Sequence, residues 1–402
     1  MKERICITEY GAVSGKNTVN TLAIQAAIDA CPENGCVVIP EGVFCSGALF
    51  LKSNMTLYLE PGACLLGSIN TEDYPLMTYR WEGRETLCYA SLLNTKEGKQ
   101  ENIRIQGSGT IDANGMVLFQ KEMAEKKGAR GRAVCLRNVD GIQISGVTIR
   151  QSPAWCLHLI YCDNILIEQV EIHTKYSETG DLYRDIFNGD GIDIDSCRNV
   201  VMRDSLIASQ DDCIAIKSGR DEEGRNVGLP TENVTITNCI FRYGFGVAMG
   251  SEMSGGIKNV IVTDCRFEDT YSFASVKAPR GRGGVIEDIT YKNIEHYNHS
   301  LEHRDCRWFR GCLYIDQFYG EEIFDAGRKA TVTDGTATIR NILFENVKTE
   351  TVAGNGIYLC GLPEQPLEQI RLKNVKVSAL HGIYVRNVVG LEMEEVVQSV
   401  QC

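Results

Sequence analysis

The sequence has no long apolar run, no run of basic residues and no tight cluster of cysteines of the kind that binds zinc, and each absence excludes a class of protein. Because no apolar stretch approaches the roughly 20 residues that cross a bilayer, no membrane-spanning helix is predicted. Because the segment from Met1 to Tyr10 lacks the apolar core of a secretion signal, the predicted location is the cytoplasm.

The charge balance and the cysteines exclude further classes. The formal net charge is -12, whereas a nucleic-acid surface requires a concentrated basic face. The 17 cysteines are odd in number and scattered singly, so neither a disulfide framework nor a metal site is predicted. Those beside apolar runs, such as Cys197, Cys213 and Cys265, are expected to be reduced and to pack as small apolar side chains.

Helical patterning is rare in this chain. Only residues 21–31 show apolar residues at helical spacing, with Asn20 or Thr21 placed to cap the helix, and no second helix of comparable strength is predicted. The remaining sequence consists of short alternating apolar runs between Asn, Asp and Gly turns, which predicts strands. A solenoid lengthens without widening its core, so all 402 residues are predicted to form one domain, 1–402.

The strand-like runs resemble one another. Most open with Asn at a turn and continue with an apolar residue at every second place; they begin at Asn102, Gly141, Asn164, Asn199, Asn233, Asn259, Asn341 and Gln369. Intervals such as 199 − 164 = 35 and 233 − 199 = 34 suit solenoid coils. We therefore predict an all-β fold, a right-handed parallel β-helix with an N-terminal capping helix, and keep a β-sandwich or a propeller as the alternative.

Two acidic turns fall one coil apart. NGDGIDIDSC contains Asp190, and SQDDCIAIKSG contains Asp211 and Asp212, with 211 − 190 = 21. Side chains on one face of successive coils are about 4.8 Å apart, so the three carboxylates are expected to converge. Like charges at that distance raise one another's pKa, an arrangement that suits proton transfer. Glycoside hydrolysis requires one protonated and one ionised carboxyl group, and these three aspartates are the candidate catalytic residues.

A structural reading of the same acids is also open. Asp and Asn are common turn residues whose side chains satisfy backbone amides, and Asp193 and Asp195 are assigned that role. A calcium site is a further alternative, although the carboxylates lack the ordered ligand spacing of a calcium loop. No metal and no cofactor are predicted.

At these residues the sequence resembles glycoside hydrolase family 28, the polygalacturonases and their relatives. The resemblance covers most of the chain, including RWEG, GSGTIDANG and SPAWCLHLIYCDN, and is strongest from Asn188 to Gly284. It implies a right-handed parallel β-helix and hydrolysis of pectic glycosides with inversion. It also implies that Asp211 is the general acid and that Asp190 and Asp212 activate the attacking water.

The chain departs from the family pattern at two places that read the substrate. Phe245 stands where the family has the histidine of Gly-His-Gly, and Ser275 stands where it has the arginine of Arg-Ile-Lys. Losing both predicts a changed specificity, because the planar guanidinium fork that grips a uronate carboxylate is gone. Phe245 either offers an apolar stacking face to a deoxy or neutral sugar or fills a gap between coils.

The remaining candidate substrate-binding residues carry charge or an aromatic ring. Lys277 is retained from the family motif, and Arg280 and Arg282 match its glycine-rich arginine stretch; pairing with carboxylates of neighbouring coils is their structural alternative. Tyr319, in LYIDQFY, resembles a family tyrosine near the sugar. The segments 173–188 and 297–311 are expected to wall the pocket, with a solvated loop or a subunit contact as alternatives for the second.

The predicted function is that of an inverting glycoside hydrolase with altered specificity. SGRDEEGRNVGLPTENVTI and GSEMSGGIKNV resemble bacterial exo-acting members, so a pectin-derived oligosaccharide or a related small glycoside is the expected substrate, cleaved from a chain end. The alternatives are a conventional exo-polygalacturonase or galacturonidase and a non-catalytic carbohydrate-binding β-helix, with a polysaccharide lyase as a weaker third. No nucleic-acid or membrane partner is expected, and the sequence does not reveal the oligomeric state.

Overall fold

Parallel β-strands make up most of this computed structural model, which describes residues 3–175, 186–302, 308–321 and 324–400. The described α-helices are α1 (Thr21–Ala30), α2 (Gly115–Glu125) and α3 (Asp221–Val227), and single 3-10 turns span Ile7–Tyr10 and Thr71–Asp73. The described strands, in chain order, are β1 Arg4–Cys6, β2 Gly15–Val19, β3 Gly35–Ile39, β4 Gly42–Ser46, β5 Leu49–Leu51, β6 Met55–Leu59, β7 Ala63–Gly67, β8 Leu76–Trp81, β9 Arg84–Tyr89, β10 Leu93–Thr95, β11 Gln100–Gly107, β12 Thr110–Asp112, β13 Val134–Arg137, β14 Val139–Ser145, β15 Thr148–Arg150, β16 Leu157–Ile160, β17 Asp163–Glu168, β18 Glu171–His173, β19 Ile192–Asp195, β20 Arg198–Arg203, β21 Leu206–Ser209, β22 Ile214–Lys217, β23 Thr231–Thr237, β24 Ile240–Tyr243, β25 Val247–Met249, β26 Ile257–Glu268, β27 Ala274–Lys277, β28 Val285–Asn298, β29 Gly311–Asp316, β30 Thr338–Thr351, β31 Asn355–Cys360, β32 Leu367–Ala379, β33 His381–Arg386, β34 Val388–Val389 and β35 Glu392–Val400.

Contacts within the chain divide it into two compact units. The first comprises Met1–Trp81, Glu85–Asp193 and Asn199–Asp211, and the second comprises Glu82–Arg84, Ile194–Arg198 and Asp212–Cys402. Both are built from parallel strands. That residues 1–402 form a single domain stays a prediction.

In the first unit, three parallel ladders of short strands stack coil upon coil. One follows β3, β6, β11, β14 and β17, a second follows β4, β7, β12, β15 and β18, and a third follows β5, β10, β13 and β16. In the first ladder Val37, Leu57, Ile105, Ile144 and Ile167 are in register and at most 1% exposed. Each such buried side chain contributes about 1.5–3 kcal/mol to folding.

The second unit repeats this design with longer strands. One parallel ladder follows β23, β26, β28, β30 and β32, and another follows β22, β25, β27, β29, β31 and β33. The inward-facing side chains of the first of these ladders include Val234, Val260, Ile289, Ile342 and Ile370, each at most 1% exposed. The fold is a right-handed parallel β-helix, as predicted, and the parallel ladders exclude the sandwich and the propeller.

The asparagines that open the repeats turn the chain. Asn102, Asn164 and Asn233 have φ angles of 52°, 56° and 58°, the left-handed conformation that Asn tolerates better than most residues. Their side chains also bond from coil to coil: Asn102 Nδ2 donates to Asn54 Oδ1 at 2.9 Å, and Asn259 Nδ2 donates to Asn233 Oδ1 at 2.8 Å. The Asn at each turn therefore supplies both the backbone geometry and a ladder of side-chain hydrogen bonds.

The helix predictions were partly wrong. Helix α1 lies where residues 21–31 predicted it, but no side chain caps its start. Instead Asn20 Nδ2 donates to the carbonyls of Val13, Thr18 and Cys45, which ties together the chain before the helix. Helix α2 was missed because its buried positions, Gly115, Leu118, Phe119 and Glu122, have helical spacing but include a glycine and a carboxylate. The prediction that Cys197, Cys213 and Cys265 are free and buried is confirmed.

His296, on β28, is buried in the second unit and gives it a pH-dependent stability. Its Nε2–H donates to the Thr270 carbonyl at 2.8 Å, so Nδ1 accepts from the Thr349 hydroxyl at 2.6 Å and the ring is neutral. Burial lowers the pKa of His296 from its ordinary 6.5 to about 4. The unfolded chain therefore takes up this proton at a higher pH than the folded chain does.

We expect the stability that neutral His296 contributes to be complete above about pH 6.5 and to be lost as the pH falls towards 4. The shift corresponds to about 3 kcal/mol. Urea unfolding at about pH 7 and pH 4.5 measures it against His296→Gln, which keeps a donor and an acceptor but does not titrate. Between pH 7 and pH 4.5 the free energy of unfolding of the natural protein should fall by about 2–3 kcal/mol more than that of the variant. Equal losses would contradict the neutral state assigned to buried His296.

Candidate active site

Each predicted acidic turn leads into a strand whose alternate side chains are buried. Asp190 precedes β19, where Ile192 and Ile194 are 0% exposed, and Asp212 precedes β22, where Ile214 and Ile216 are also 0% exposed. The buried isoleucines fix the register of each strand. The aspartates just before them are thereby held at defined positions.

In the first unit, Asp190 and Asp211 lie on neighbouring turns. The amides of Gln210 and Asp211 both donate to the Gly189 carbonyl, at 3.1 and 3.2 Å. The Thr174 hydroxyl donates to the same oxygen at 2.5 Å and accepts from the Gln210 amide at 2.9 Å. These bonds put the two acidic turns side by side, in agreement with the 21-residue interval between them.

Gly189 is required for this close approach. A Cβ atom added to it would lie 2.9 Å from the Cβ of Gln210, closer than side chains pack. Asp190 is 4% exposed, whereas Asp211 is half-buried. Asp211 is therefore the acid of the first unit that a ligand can reach more readily.

Arg130 holds the turn that precedes Asp190, a role that the sequence did not suggest. Its guanidinium donates to the Phe187 carbonyl at 2.6 Å, to Asn188 Oδ1 at 2.5 Å and to the Pro153 carbonyl at 3.1 Å. Since Arg130 is 4% exposed, these bonds are shielded from water and fix the NGD turn firmly.

Aromatic rings and another buried arginine pack beside that turn. Trp81 stacks on Trp155, with ring centroids 4.8 Å apart, and the guanidinium of Arg132 lies 5.2 Å from each ring. Trp155 belongs to SPAWC and Trp81 to RWEG, both quoted above only as family resemblance. The stacked rings explain why the two segments occur in the same chain, since each supplies one ring of the pair. Trp81 is only half-buried.

Asp193 and Asp195 do not have the turn role predicted for them. Both lie within β19, alternating with the buried isoleucines. The carboxylate of Asp193 is near enough to Arg132 to act on its pKa. The turn interpretation was wrong because IDID alternates as a strand, so its acids lie on the other face of the strand from the isoleucines, where they are also buried, at 0% and 1% exposed.

In the second unit, Asp212 and Lys277 form a buried ion pair. Lys277 Nζ donates to Asp212 Oδ2 at 2.7 Å, and the two side chains are 7% and 6% exposed. Burial by itself lowers the pKa of Lys277, but the adjacent Asp212 carboxylate raises it well above its ordinary value. The ring centroid of Tyr319 lies 5.3 Å from Lys277 Nζ.

Glu252 and Lys217 form a second buried ion pair in this unit, which sequence reasoning missed. Lys217 Nζ and Glu252 Oε2 are 3.7 Å apart, and the side chains are 6% and 11% exposed. Burial raises the pKa of Glu252, but Lys217 and Arg282 lower it further than burial raises it. Glu252 lies in GSEMSGG and Lys217 in AIKSG, so their occurrence in quoted motifs was the available signal.

Carboxylates of the protein hold Arg280 and Arg282. Arg280 Nε donates to Glu364 Oε1 at 2.7 Å and its Nη1 to Glu321 Oε1 at 2.9 Å. Arg282 Nη1 donates to Asp221 Oδ1 at 2.5 Å. These pairs correspond to the structural alternative stated for both arginines.

Phe245 packs against other aromatic rings of the second unit. Its ring centroid is 5.4 Å from that of Tyr271, which in turn lies 5.6 Å from Phe309. Phe245 is half-buried, so it fills space between coils and also keeps an exposed edge. Ser275, the other departure from the family pattern, is 0% exposed on β27.

Parts of the predicted pocket walls lie outside the described residues, namely 176–185 of the first segment and 303–307 of the second. The described part of the second segment includes Trp308, whose ring centroid is 4.9 Å from that of Tyr319. In the part of the chain that the structure describes, no group of three or more His, Cys, Asp and Glu side chains is arranged to hold a metal ion.

Comparison with known proteins gives a consistent result. The family described as glycosyl hydrolases family 28 matches residues 89–389. A probable polygalacturonase of Vitis vinifera is 31% identical over 388 residues, which cover 92% of this chain and 73% of that protein. An exo-poly-alpha-D-galacturonosidase of Dickeya chrysanthemi is 31% identical over 336 residues, which cover 72% of this chain and 54% of that protein.

Among solved structures, a hyperthermoactive exopolygalacturonase from Thermotoga maritima superposes with a TM-score of 0.81 at 24% identity, covering 99% of this chain and 92% of that one. This likeness supports the fold. The match over residues 89–389 and the identity to the Vitis vinifera protein establish the family. The chain belongs to glycosyl hydrolases family 28 and is a glycoside hydrolase.

Proposed function

We propose that this protein is an inverting, exo-acting hydrolase of a pectin-derived oligosaccharide or a related small glycoside, with a specificity altered from that of a polygalacturonase. The observation that carries the proposal is the pair of bonds from the Gln210 and Asp211 amides to the Gly189 carbonyl. Those bonds bring two acidic turns together in the first unit, with Asp211 accessible. Acids that converge in this way are suited to share the proton transfers of glycoside cleavage.

We assign Asp211 as the general acid and Asp190 with Asp212 as the groups that activate water. The leaving glycosidic oxygen requires a proton, and Asp211 is the less buried acid of the first unit. Asp212 is paired with Lys277 at 2.7 Å, which favours its ionised form. In an inverting enzyme the acid and the base leave room for water between them, with carboxyl groups about 6.5–9.5 Å apart.

The altered specificity rests on Phe245 and Ser275. Phe245 has no hydrogen-bonding nitrogen to replace the histidine that supports the catalytic centre in the family pattern. Ser275 has no guanidinium to grip a uronate carboxylate. Arg280 and Arg282 are engaged with Glu364, Glu321 and Asp221. A deoxy or neutral sugar therefore fits these residues better than a galacturonate, and Phe245 and Tyr319 supply aromatic faces for it.

A substrate panel tests this specificity. We expect glycosides that end in a deoxy or neutral sugar to be cleaved with a kcat/KM at least ~10-fold above that of digalacturonate. A site that lacks the arginine for a uronate carboxylate gains little binding energy from the carboxylates of digalacturonate. Asp211→Asn serves as the control for contaminating activity. Equal or better cleavage of digalacturonate would establish the conventional exo-galacturonidase instead, and sugar binding without any cleavage would favour the non-catalytic alternative.

Exo action is proposed from the relatives and from one segment of the chain. The relative from Dickeya chrysanthemi is described as exo-acting. The sequence SGRDEEGR, which resembles such proteins, leads into α3. Asp221, the first residue of α3, bonds Arg84 at 2.9 Å and Arg282 at 2.5 Å. Analysis of the products at early times distinguishes exo from endo cleavage, since exo cleavage releases a product of a single size from the start of the reaction.

A cytoplasmic location remains a prediction. All 15 described cysteines are free, which favours a reducing compartment. None of the helices in the described ranges is long and apolar enough to cross a membrane.

A further inference from the structure

Phe187 is an exposed aromatic residue beside the acidic turn of the first unit. It directly precedes the NGD turn that carries Asp190, and it lies in the described end of segment 173–188. The residue is 55% exposed. Single apolar residues are common on protein surfaces, so exposure alone assigns no role to this ring. Its role follows from how the ring is held and from what lies beside it.

The ring of Phe187 is held in place by its neighbours. Its own carbonyl accepts from the Arg130 guanidinium at 2.6 Å, and the carbon of that guanidinium lies 4.5 Å from the ring centroid. The ring of Phe119, on α2, meets that of Phe187 edge to face, with centroids 5.3 Å apart and planes at 88°. A ring fixed in this way loses little conformational freedom when a ligand binds to it.

Arg130 also brings a second accessible ring to the same place. Its guanidinium carbon is 5.1 Å from the ring centroid of Trp81, which is half-buried. Arg130 itself is 4% exposed, so the rings around it shield it from water. Because Phe187 and Trp81 contact the same buried guanidinium, they border one small apolar surface next to the NGD turn.

An aromatic surface beside catalytic carboxyl groups is suited to a sugar. A pyranose ring has a face of C–H bonds, which packs on an aromatic ring, while its hydroxyl groups reach the polar groups around it. Asp190 follows Phe187 by three residues, and the Asp211 amide donates to the Gly189 carbonyl of the same turn at 3.2 Å. The ring and both candidate acids of the first unit therefore belong to one bonded group of turns.

We propose that Phe187 is a specificity-determining residue, and that a pyranose ring of the substrate stacks on its exposed part beside the glycosidic bond that is cleaved. The contact depends on an aromatic surface and not on charge, so it serves a deoxy or neutral sugar without requiring a uronate carboxylate. This inference rests on the proposed function, since the sugar is that of the glycoside which Asp190 and Asp211 act upon.

Two substitutions test whether the ring binds substrate. Phe187→Leu keeps an apolar side chain without a ring, and Phe187→Tyr keeps the ring. With the best-cleaved glycoside of the substrate panel, Phe187→Leu should raise KM at least ~5-fold and change kcat less than about two-fold, because stacking holds the ground state and the transition state alike. Phe187→Tyr should keep KM within about two-fold of the original. Tyr10→Leu, at a 38% exposed position of the same unit, is the control and should change neither.

A purely structural role for Phe187 gives a different result. If the ring only shields the bonds from Arg130 to the NGD turn, Phe187→Leu should loosen that turn. Its kcat and its midpoint of urea unfolding would then fall while KM stays unchanged. Either that outcome or kinetics equal to those of the natural protein would overturn the proposal and leave the proposed function standing.

A binding experiment separates this inference from the proposed function. Calorimetry compares Asp211→Asn with Asp211→Asn/Phe187→Leu, with the methyl glycosides of rhamnose and of galacturonate as the probes. Binding of either probe that is at least ~5-fold weaker in the double variant supports stacking on Phe187, even if the natural protein cleaves no glycoside and the proposed function fails. Equal affinities in the two variants, or no binding of either probe to Asp211→Asn, would overturn the stacking role.

Discussion

Replacing Asp211 by asparagine is expected to lower kcat by about 10³-fold, because the amide cannot deliver a proton to the leaving oxygen. The substitution is nearly isosteric, and the bonds that place the residue are made by its backbone: its amide donates to Gly189 and its carbonyl accepts from Ser209 Oγ at 2.7 Å. KM should stay within about two-fold, because the loss arises in the transition state.

The matched control is Asp334→Asn, the same change at an exposed position of the chain. It should leave kcat unchanged, and circular dichroism and urea unfolding of Asp211→Asn should match those of the natural protein. A folded Asp211→Asn variant with more than about a tenth of the original kcat would remove Asp211 from the role of general acid.

Phe273→Ala is expected to lower the free energy of unfolding by about 3–5 kcal/mol. Phe273 is 0% exposed, and its ring centroid lies 6.0 Å from Phe267, 6.0 Å from Tyr291, 5.7 Å from His296 and 6.3 Å from Phe344. Rings from several coils meet at this residue, so its removal leaves a cavity that the hydrogen-bonded strands around it cannot close.

Phe324→Ala is the matched control, since Phe324 is 48% exposed and belongs to the same unit. Its cost in urea unfolding should be below about 1 kcal/mol. Equal effects of the two substitutions would contradict the stacked aromatic core.

The fold was predictable from the sequence because a solenoid repeats one local rule. Asn at a turn followed by alternating apolar residues fixes both the left-handed backbone angle and the inward row, as at Asn233 and Val234. Helix α2 escaped prediction because tertiary contacts bury its Gly115 and Glu122, which carry no apolar signal. Asn20 has the sequence position of a cap, yet its side chain bonds earlier in the chain.

The spacing of residues in the sequence predicted the acids of the candidate site, whereas the other candidate residues came from the family resemblance. The spacing of NGD and DD indicates Asp190, Asp211 and Asp212 as candidates, because residues one coil apart lie on the same face of the β-helix. The partners of these acids come from distant coils, and no local pattern reports them: Lys277 is 65 residues from Asp212, and Arg130 is 58 residues from Asn188. Their roles depend on stacking order, which the sequence does not state.

The stereochemistry of the first-formed product tests the central claim most directly. Proton NMR of a reaction started with fresh enzyme reports the anomer released before mutarotation. Inversion of the anomeric configuration is the predicted result, because in the proposed mechanism water attacks while Asp211 protonates the leaving group on the opposite side. A product of retained configuration, or an unsaturated sugar, would contradict it.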